Sequence, residues 1–292
     1  MSPPSPSDDP DKVGEALNAQ RFRMLEDIAK ELAGDAVFPT YFDVAFRLRK
    51  ELQNPDAPIA RIAAVVGAEP LIAAKLLHLA NSVMYSPSGT PAKDLGAAIT
   101  RLGIETVRTT ALAIAMGQLM RSKDMVPFAD LTRALWDHSL KTAAATRLLA
   151  RHHTKINPDE ALLAGLVHDL GGFYMLYRAA QYPELRARPD TVKYLIVQWH
   201  ESIGVTLLNA IGLPEEIVEA TVDHDQPRPT PPTLRHLADV VYVGNALAGA
   251  HFEWLFQDID PDAGELGVIR ERYGHLLEDI ETQAKEMHAA LA

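Results

Sequence analysis

The sequence contains no cysteine, so disulfides and thiolate chemistry are excluded. Any metal site must therefore use histidine, aspartate and glutamate. Basic residues are in deficit, with 28 lysines and arginines against 39 aspartates and glutamates, a formal charge of −11. That balance argues against a nucleic-acid partner, which needs a basic face to neutralise phosphates. It also disfavours electrostatic docking on anionic membranes. No apolar run approaches membrane-spanning length and no secretory signal opens the chain, so a soluble cytoplasmic protein without membrane insertion is expected. Strand-type alternation is scarce, and no repeat of roughly 20–50 residues marks a solenoid.

What is present is ordinary globular material: 292 residues, 47% hydrophobic and 23% charged, enough for one large domain or two lobes with packed cores. Met1 to Asp11, "MSPPSPSDDPD", is rich in Pro, Ser and Asp and is expected to be disordered. From about Gln20 the pattern is helical almost throughout. In "RFRMLEDIAKELA" the helical period places Phe22, Leu25, Ile28, Ala29 and Leu32 on one face. "PLIAAKLLHLANS" ends in Asn81-Ser82, residues suited to local capping, and "AITRLG" ends in Gly103, a left-handed C-cap. Arg101 and Arg108 read as solvated helix charges. Further on, "PFADLTRALWDHSLKTAAATRLLARHH" is a long amphipathic helix. In "NPDEALLAGLVHDL" Asn157 is the N-cap, Pro158 the first helical residue and Glu160 the capping partner. Pro214 opens "PEEIVEATVDH" in the same way, and helices at "TLRHLADVVYVGNALAG" and "YGHLLEDIETQAKEMHAAL" finish the chain. The expected fold is all-α and two-lobed: a tail over 1–19, a first helical lobe over 20–125 and a second over 126–292.

The second lobe carries metal-capable residues in an ordered series, each on or at the end of an expected helix. His168-Asp169 closes the apolar helix "DEALLAGLVHDLGG" ahead of Gly171-Gly172; His138 lies in "LWDHSL", His200 in "QWHESIG", His224-Asp225 at another helix end and Asp239 in "HLADVVYVGNALA". Inward-facing histidines and carboxylates from several helices are the usual way a bundle builds a metal site. A mixed N/O donor set suits a divalent cation such as Mn, Fe(II), Zn or Mg. Singly, each residue also has a plain role: a packed or hydrogen-bonded histidine, or a capping aspartate. His152-His153 read as a solvated helix C-terminus, His78 as structural. His236, His251, His275 and His288 belong to no carboxylate constellation.

The order of this series resembles the HD superfamily of metal-dependent phosphohydrolases, in which a His, an HD pair, further His residues and a final Asp converge in a helical core. His138, His168, Asp169 and Asp239 match the four basic ligand positions, and His200 and His224 match the extra histidines of the HD-GYP branch, which cleaves cyclic di-GMP. By that resemblance the site would bridge two metals, activate a water and attack a phosphodiester. The first lobe is more specific. "FPTYFDVAFRLRKELQNPDAPIARIAAVVGAEPLIAAKLLHLANSVMYS", then "LGAAITRLGIETVRTTALAIAM", "LWDHSLKTA", "LLAGLVHDLGG" and "LPEEIVEATVDHDQP", resemble in order the HDOD (HD-related output) domain over about Phe38 to Gly249.

Three departures from the catalytic pattern are legible. Gly172 stands where the catalytic branch carries a lysine, and losing a preorganised charge stabiliser typically costs orders of magnitude in rate. The paired-histidine position reads His224-Asp225, where Asp225 can still ligate a hard cation. The GYP segment is absent, and "DQPRPTPP" takes its place. The resemblance thus implies a non-catalytic bacterial signal-transduction module, linked to cyclic di-GMP or motility regulation. Its implied partners are other signalling proteins, such as cyclic-dinucleotide-metabolising enzymes, kinases or response regulators; self-association is compatible with it. The metal centre would be a vestigial one, with a divalent ion or none, drawn from His138, His168, Asp169, His200, His224, Asp225 and Asp239. The alternatives are a divergent metal-dependent phosphodiesterase and a non-catalytic cyclic-dinucleotide receptor.

Overall fold

Gly103 adopts φ +80°, a conformation open to glycine, and there one helix ends and the next begins. The described residues are helical almost throughout, with short breaks between helices. The computed structural model describes residues 15–33, 42–52, 54, 57–82, 85–86, 89–226, 228–249, 262 and 264–291. Residues 1–14 of the expected tail and the "FPT" segment lie outside them, whereas 15–19, expected as tail, are helical in the first turns of the chain's first helix. No strand occurs among the described residues, and the fold is all-α. No helix among them is long and apolar enough to cross a membrane.

In chain order the helices are α1 (Glu15–Ala33), α2 (Asp43–Leu52), α3 (Ile59–Gly67), α4 (Pro70–Ala80), α5 (Leu95–Leu102), α6 (Ile104–Met120), α7 (Ala129–His153) and α8 (Pro158–Val167). They continue with α9 (Leu170–Ala179), α10 (Pro183–Arg186), α11 (Pro189–Ala210), α12 (Glu215–Ala220), α13 (Leu237–Leu247), α14 (Gly264–Tyr273) and α15 (Leu277–Leu291).

Two apolar clusters form the interior. The smaller gathers Val44, Leu48, Ile62, Leu76 and Ile99 from α2 to α5. The larger gathers Leu135, Leu149, Leu166, Phe173, Leu207 and Val241 from the later helices. Helix α6 joins them, with Val107, Ala111 and Ile114 in the first and Leu112, Met116 and Leu119 in the second. A cavity of about 650 Å³ lies where α4 and α6 face α8 and α15, lined by Leu79, Thr110, Leu166 and Met287 among others.

Several local expectations change in the folded chain. Helix α1 buries Met24 and Ile28 in the larger cluster, while Phe22 stays 77% exposed. Its buried stripe keeps Leu25 and Ile28 of the expected face but is rotated to take in Met24, and it faces α9, α10 and α11. There Arg21 Nη2 donates to Thr191 Oγ1 at 3.0 Å and the Tyr182 hydroxyl donates to Asp27. Asn81 does not act locally: its Nδ2 donates to the Ala92 carbonyl at 3.1 Å and its Oδ1 accepts from the Ala92 N–H at 2.6 Å. Arg101 is not merely solvated, because its Nη1 donates to the Ala80 carbonyl at 2.9 Å and caps α4. The Asn157 cap forms as expected, accepting from the Asp159 N–H at 2.9 Å.

Candidate metal centre

Helix α8 stops at Val167, one residue before the His168-Asp169 pair. The pair occupies the bend into α9, and Gly171-Gly172 lie in the first turn of that helix rather than after the end of the previous one. The reason is a close approach. A β-carbon on Gly171 would overlap the carbonyl oxygen of His200 and sit 2.7 Å from the Gly204 nitrogen. Two glycines thus let α9 and α11 meet at backbone distance, which brings His200 to Asp169. Gly165 on α8 and Gly244 on α13 close in similarly on Thr146 of α7, so the helices carrying His138, His168 and Asn245 converge on one point.

The last pair is delivered by a turn. Helix α12 ends at Ala220, four residues short of the expected helix end at His224. Asp223 then takes φ +55°, a left-handed conformation that aspartate tolerates better than most residues. Its N–H donates to Glu201 Oε2 at 2.9 Å. This reversal turns His224 and Asp225 inward.

Six of the seven expected ligand residues meet. Asp169 lies at the middle, its Oδ2 3.2 Å from His168 Nε2 and 3.7 Å from His138 Nε2, and its Oδ1 3.3 Å from His224 Nε2 and 3.6 Å from His200 Nε2. Asp225 Oδ2 lies 3.3 Å from His200 Nε2 and 3.6 Å from His224 Nε2. Two overlapping donor groups result, Asp169-His200-His224-Asp225 and His138-His168-Asp169, each with its ligand atoms within 4.8 Å of one another. His168, His200 and His224 each hold Nδ1 against a main-chain carbonyl, the outer contact that aims Nε2 at a cation. The donors thus fit a divalent ion of the Mn, Fe or Zn type.

Asp239 stands apart. It sits in the first turn of α13, where its Oδ2 accepts from the N–H groups of Arg235 and His236, both at 3.2 Å, in a capping box. Its Oδ1 lies 3.7 Å from Arg228 Nη2. The residue of α13 that reaches the centre is Asn245, whose Oδ1 is 2.8 Å from His138 Nε2 and whose Nδ2 donates to Asp225 Oδ1 at 2.8 Å. The sequence held one sign of it: an amide in an apolar helix, four residues after the buried Val241.

Charge inside the centre is partitioned. Burial disfavours the ionised form of Asp169, yet the His168 and His224 rings hold its carboxyl well below the usual range. Asp225 is likewise held low against burial, chiefly by His224 and His200. For His224, burial is outweighed by Asp225 and Asp169 and the ring is raised to about 10; His200 is raised on the same balance. His138 goes the other way, lowered to about 4 by burial and then by His168. A cation entering here would displace protons from histidine and neutralise two carboxylates already ionised.

This chain matches the model of the HDOD domain family over residues 38–227. A curated protein of Treponema pallidum (strain Nichols), itself uncharacterised, is 24% identical over 212 residues, 68% of this chain; the chain spans 39% of that relative's length. Among solved structures, a Shewanella amazonensis SB2B protein with the provisional name metal-dependent phosphohydrolase aligns with TM-score 0.68 and 24% identity, over 94% of this chain and 100% of its own. An HDOD domain protein of unknown function from Geobacter sulfurreducens aligns with TM-score 0.56 and 22% identity, over 94% and 98%. At these identities the likeness to solved structures is one of fold.

Proposed function

The chain belongs to the HDOD domain family, and from that premise we propose that it is a non-catalytic signalling module whose 126–292 lobe keeps a metal-capable HD-type centre. The observation that carries this reading is the burial of the centre. The side chains of His138, His168, Asp169, His200 and His224 are each 5% exposed or less, and Asp225 only 19%. Hydrolysis of a phosphodiester needs an open coordination position facing the substrate. A closed set of donors instead suits a structural ion or an internal ion-pair network. Gly172 adds no cation for phosphate, which agrees with this reading.

A bound divalent ion would supply charge neutralisation and cross-linking between helices, with stability coupled to its binding. Around it, His168, His200 and His224 are aimed by their carbonyl contacts, Asp169 joins the two donor groups, and Asn245 ties α13 to the turn that carries Asp225. Output on this reading passes through protein partners: other signalling proteins, including enzymes that make or break cyclic dinucleotides, kinases or response regulators, in cyclic di-GMP or motility control. The chain's net charge of −11 favours partners with a basic face.

The test is an assay of the metal-reconstituted full chain with cyclic di-GMP and with a generic bis-aryl phosphodiester. No turnover is expected. Hydrolysis abolished by joint His168→Ala and Asp169→Ala substitution would instead establish a divergent phosphohydrolase that uses the same donor groups. Calorimetric binding of cyclic di-GMP without turnover would identify a receptor.

A further inference from the structure

Three of the four central histidines are oriented alike. His168, His200 and His224 place Nδ1 at 2.8, 2.8 and 2.7 Å from the carbonyls of Gly165, Ile196 and Thr221. A carbonyl only accepts, so each Nδ1 carries a hydrogen and each ring aims its Nε2 inward, where a cation would take the place of any second proton. His138 is reversed. Its Nδ1 is buried without a hydrogen-bond partner, while its Nε2 lies 2.8 Å from Asn245 Oδ1.

The Asn245 amide cannot be turned the other way. Its Nδ2 donates to the His224 carbonyl at 3.2 Å and to Asp225 Oδ1 at 2.8 Å, and both of those groups accept. Oδ1 therefore faces His138, and only an Nε2–H can meet it. The Nε2 of His168 lies 3.1 Å from the same nitrogen. Thr142 Oγ1, at 3.3 Å, is indifferent, since a hydroxyl both donates and accepts.

We infer that the centre holds one divalent ion, between Asp169, His200, His224 and Asp225, and that Asn245 keeps His138 outside the ligand set by fixing hydrogen on its Nε2. An imidazole nitrogen that carries hydrogen has no lone pair for a cation. To ligate, His138 would have to move that hydrogen to Nδ1, where no acceptor waits, and lose Asn245 as well. Without His138, the second donor group retains only His168 and Asp169. That is fewer than the three or four protein ligands that hold such ions. Asn245 is a positioning residue on this account: it selects which half of a two-part donor set is open to metal.

The inference rests on the reading of this centre as metal-holding, and the test separates the two. The full chain is loaded with Co(II), desalted, and analysed for metal content and for its visible absorption. One ion per chain is expected. His138→Ala should leave the Co(II) spectrum unchanged and the affinity within about three-fold, whereas His224→Ala should weaken binding by more than roughly 100-fold. Two ions per chain, or a Co(II) spectrum altered by His138→Ala, overturns the inference and leaves the metal reading intact. A chain that takes up no ion overturns both. Nitrogen NMR of the unsubstituted, metal-free protein gives a second readout that does not depend on a variant folding. His138 should show its hydrogen on Nε2, and a hydrogen on Nδ1 overturns the role given to Asn245.

Discussion

Gly171 and His200 touch through their backbones, with no room for a β-carbon between them. The obstacle is a main-chain carbonyl rather than the end of a flexible side chain, so it cannot swing aside. Gly171→Ala is expected to push α9 from α11 and to cost about 1–3 kcal/mol, the range for overpacking a tight interior. It should lower the thermal midpoint and also reduce metal uptake, because His200 Nε2 would leave its place 3.6 Å from Asp169 Oδ1. An Ala variant with unchanged melting and metal content would show that the two helices can part without consequence.

Asp239 and Asp169 should behave oppositely. Asp169→Ala is expected to abolish metal uptake, since Asp169 belongs to both donor groups. Asp239→Ala should leave uptake unchanged and cost about 1 kcal/mol, the usual scale of a lost helix cap. Loss of the ion in the Asp239 variant, measured by elemental analysis, would return that residue to the ligand set.

Asn81→Ala removes both hydrogen bonds to the Ala92 peptide. These bonds are only partly buried, so the expected cost is about 1–2 kcal/mol. Hydrogen exchange of the Ala92 amide should rise with it, while the metal centre stays as it was. An unchanged exchange rate would mean that the segment before α5 is held by something else.

The metal-free protein should be most stable near neutral pH and lose stability in both directions. His224 is raised to about 10 because Asp225 and Asp169 outweigh burial. Its contribution is therefore complete below its unfolded value, about 6.5, and is lost as pH rises through 10. His138 is lowered to about 4 by burial and then by His168, so its contribution is complete above about 6.5 and is lost as pH falls through 4. The urea midpoint of chelator-treated protein should trace this dome, and His224→Gln should flatten its alkaline side. A midpoint indifferent to pH between about 5 and 9 would contradict the charge pattern.

Much of this was legible in the sequence for simple reasons. A helical period shows wherever one face of a helix must be buried, and His138, His168-Asp169, His200 and His224-Asp225 stood out because charged-type side chains rarely sit inside apolar helices. The choice between Asp239 and Asn245 was not legible. Both lie on α13, six residues apart, so at about 100° per residue they point some 240° apart. Which of them meets the other ligands depends on how α13 is rotated against α7. Carboxylate chemistry favoured Asp239, and packing chose Asn245. Phe22 illustrates the same point: the period placed it on the apolar face of α1, but the partner helices cover Met24 beside the expected Ile28 and leave Phe22 exposed.

Residue types, their order along the chain and the all-α character follow from composition and local periodicity, which are properties of neighbours in sequence. Convergence of the ligands, the exclusion of Asp239 and the hydrogen on His138 Nε2 follow from contacts between residues as distant as His138 and Asn245. Those contacts exist because the glycines at 165, 171, 204 and 244 let helices approach to backbone distance. Only the packed structure determines which side chains such an approach brings face to face.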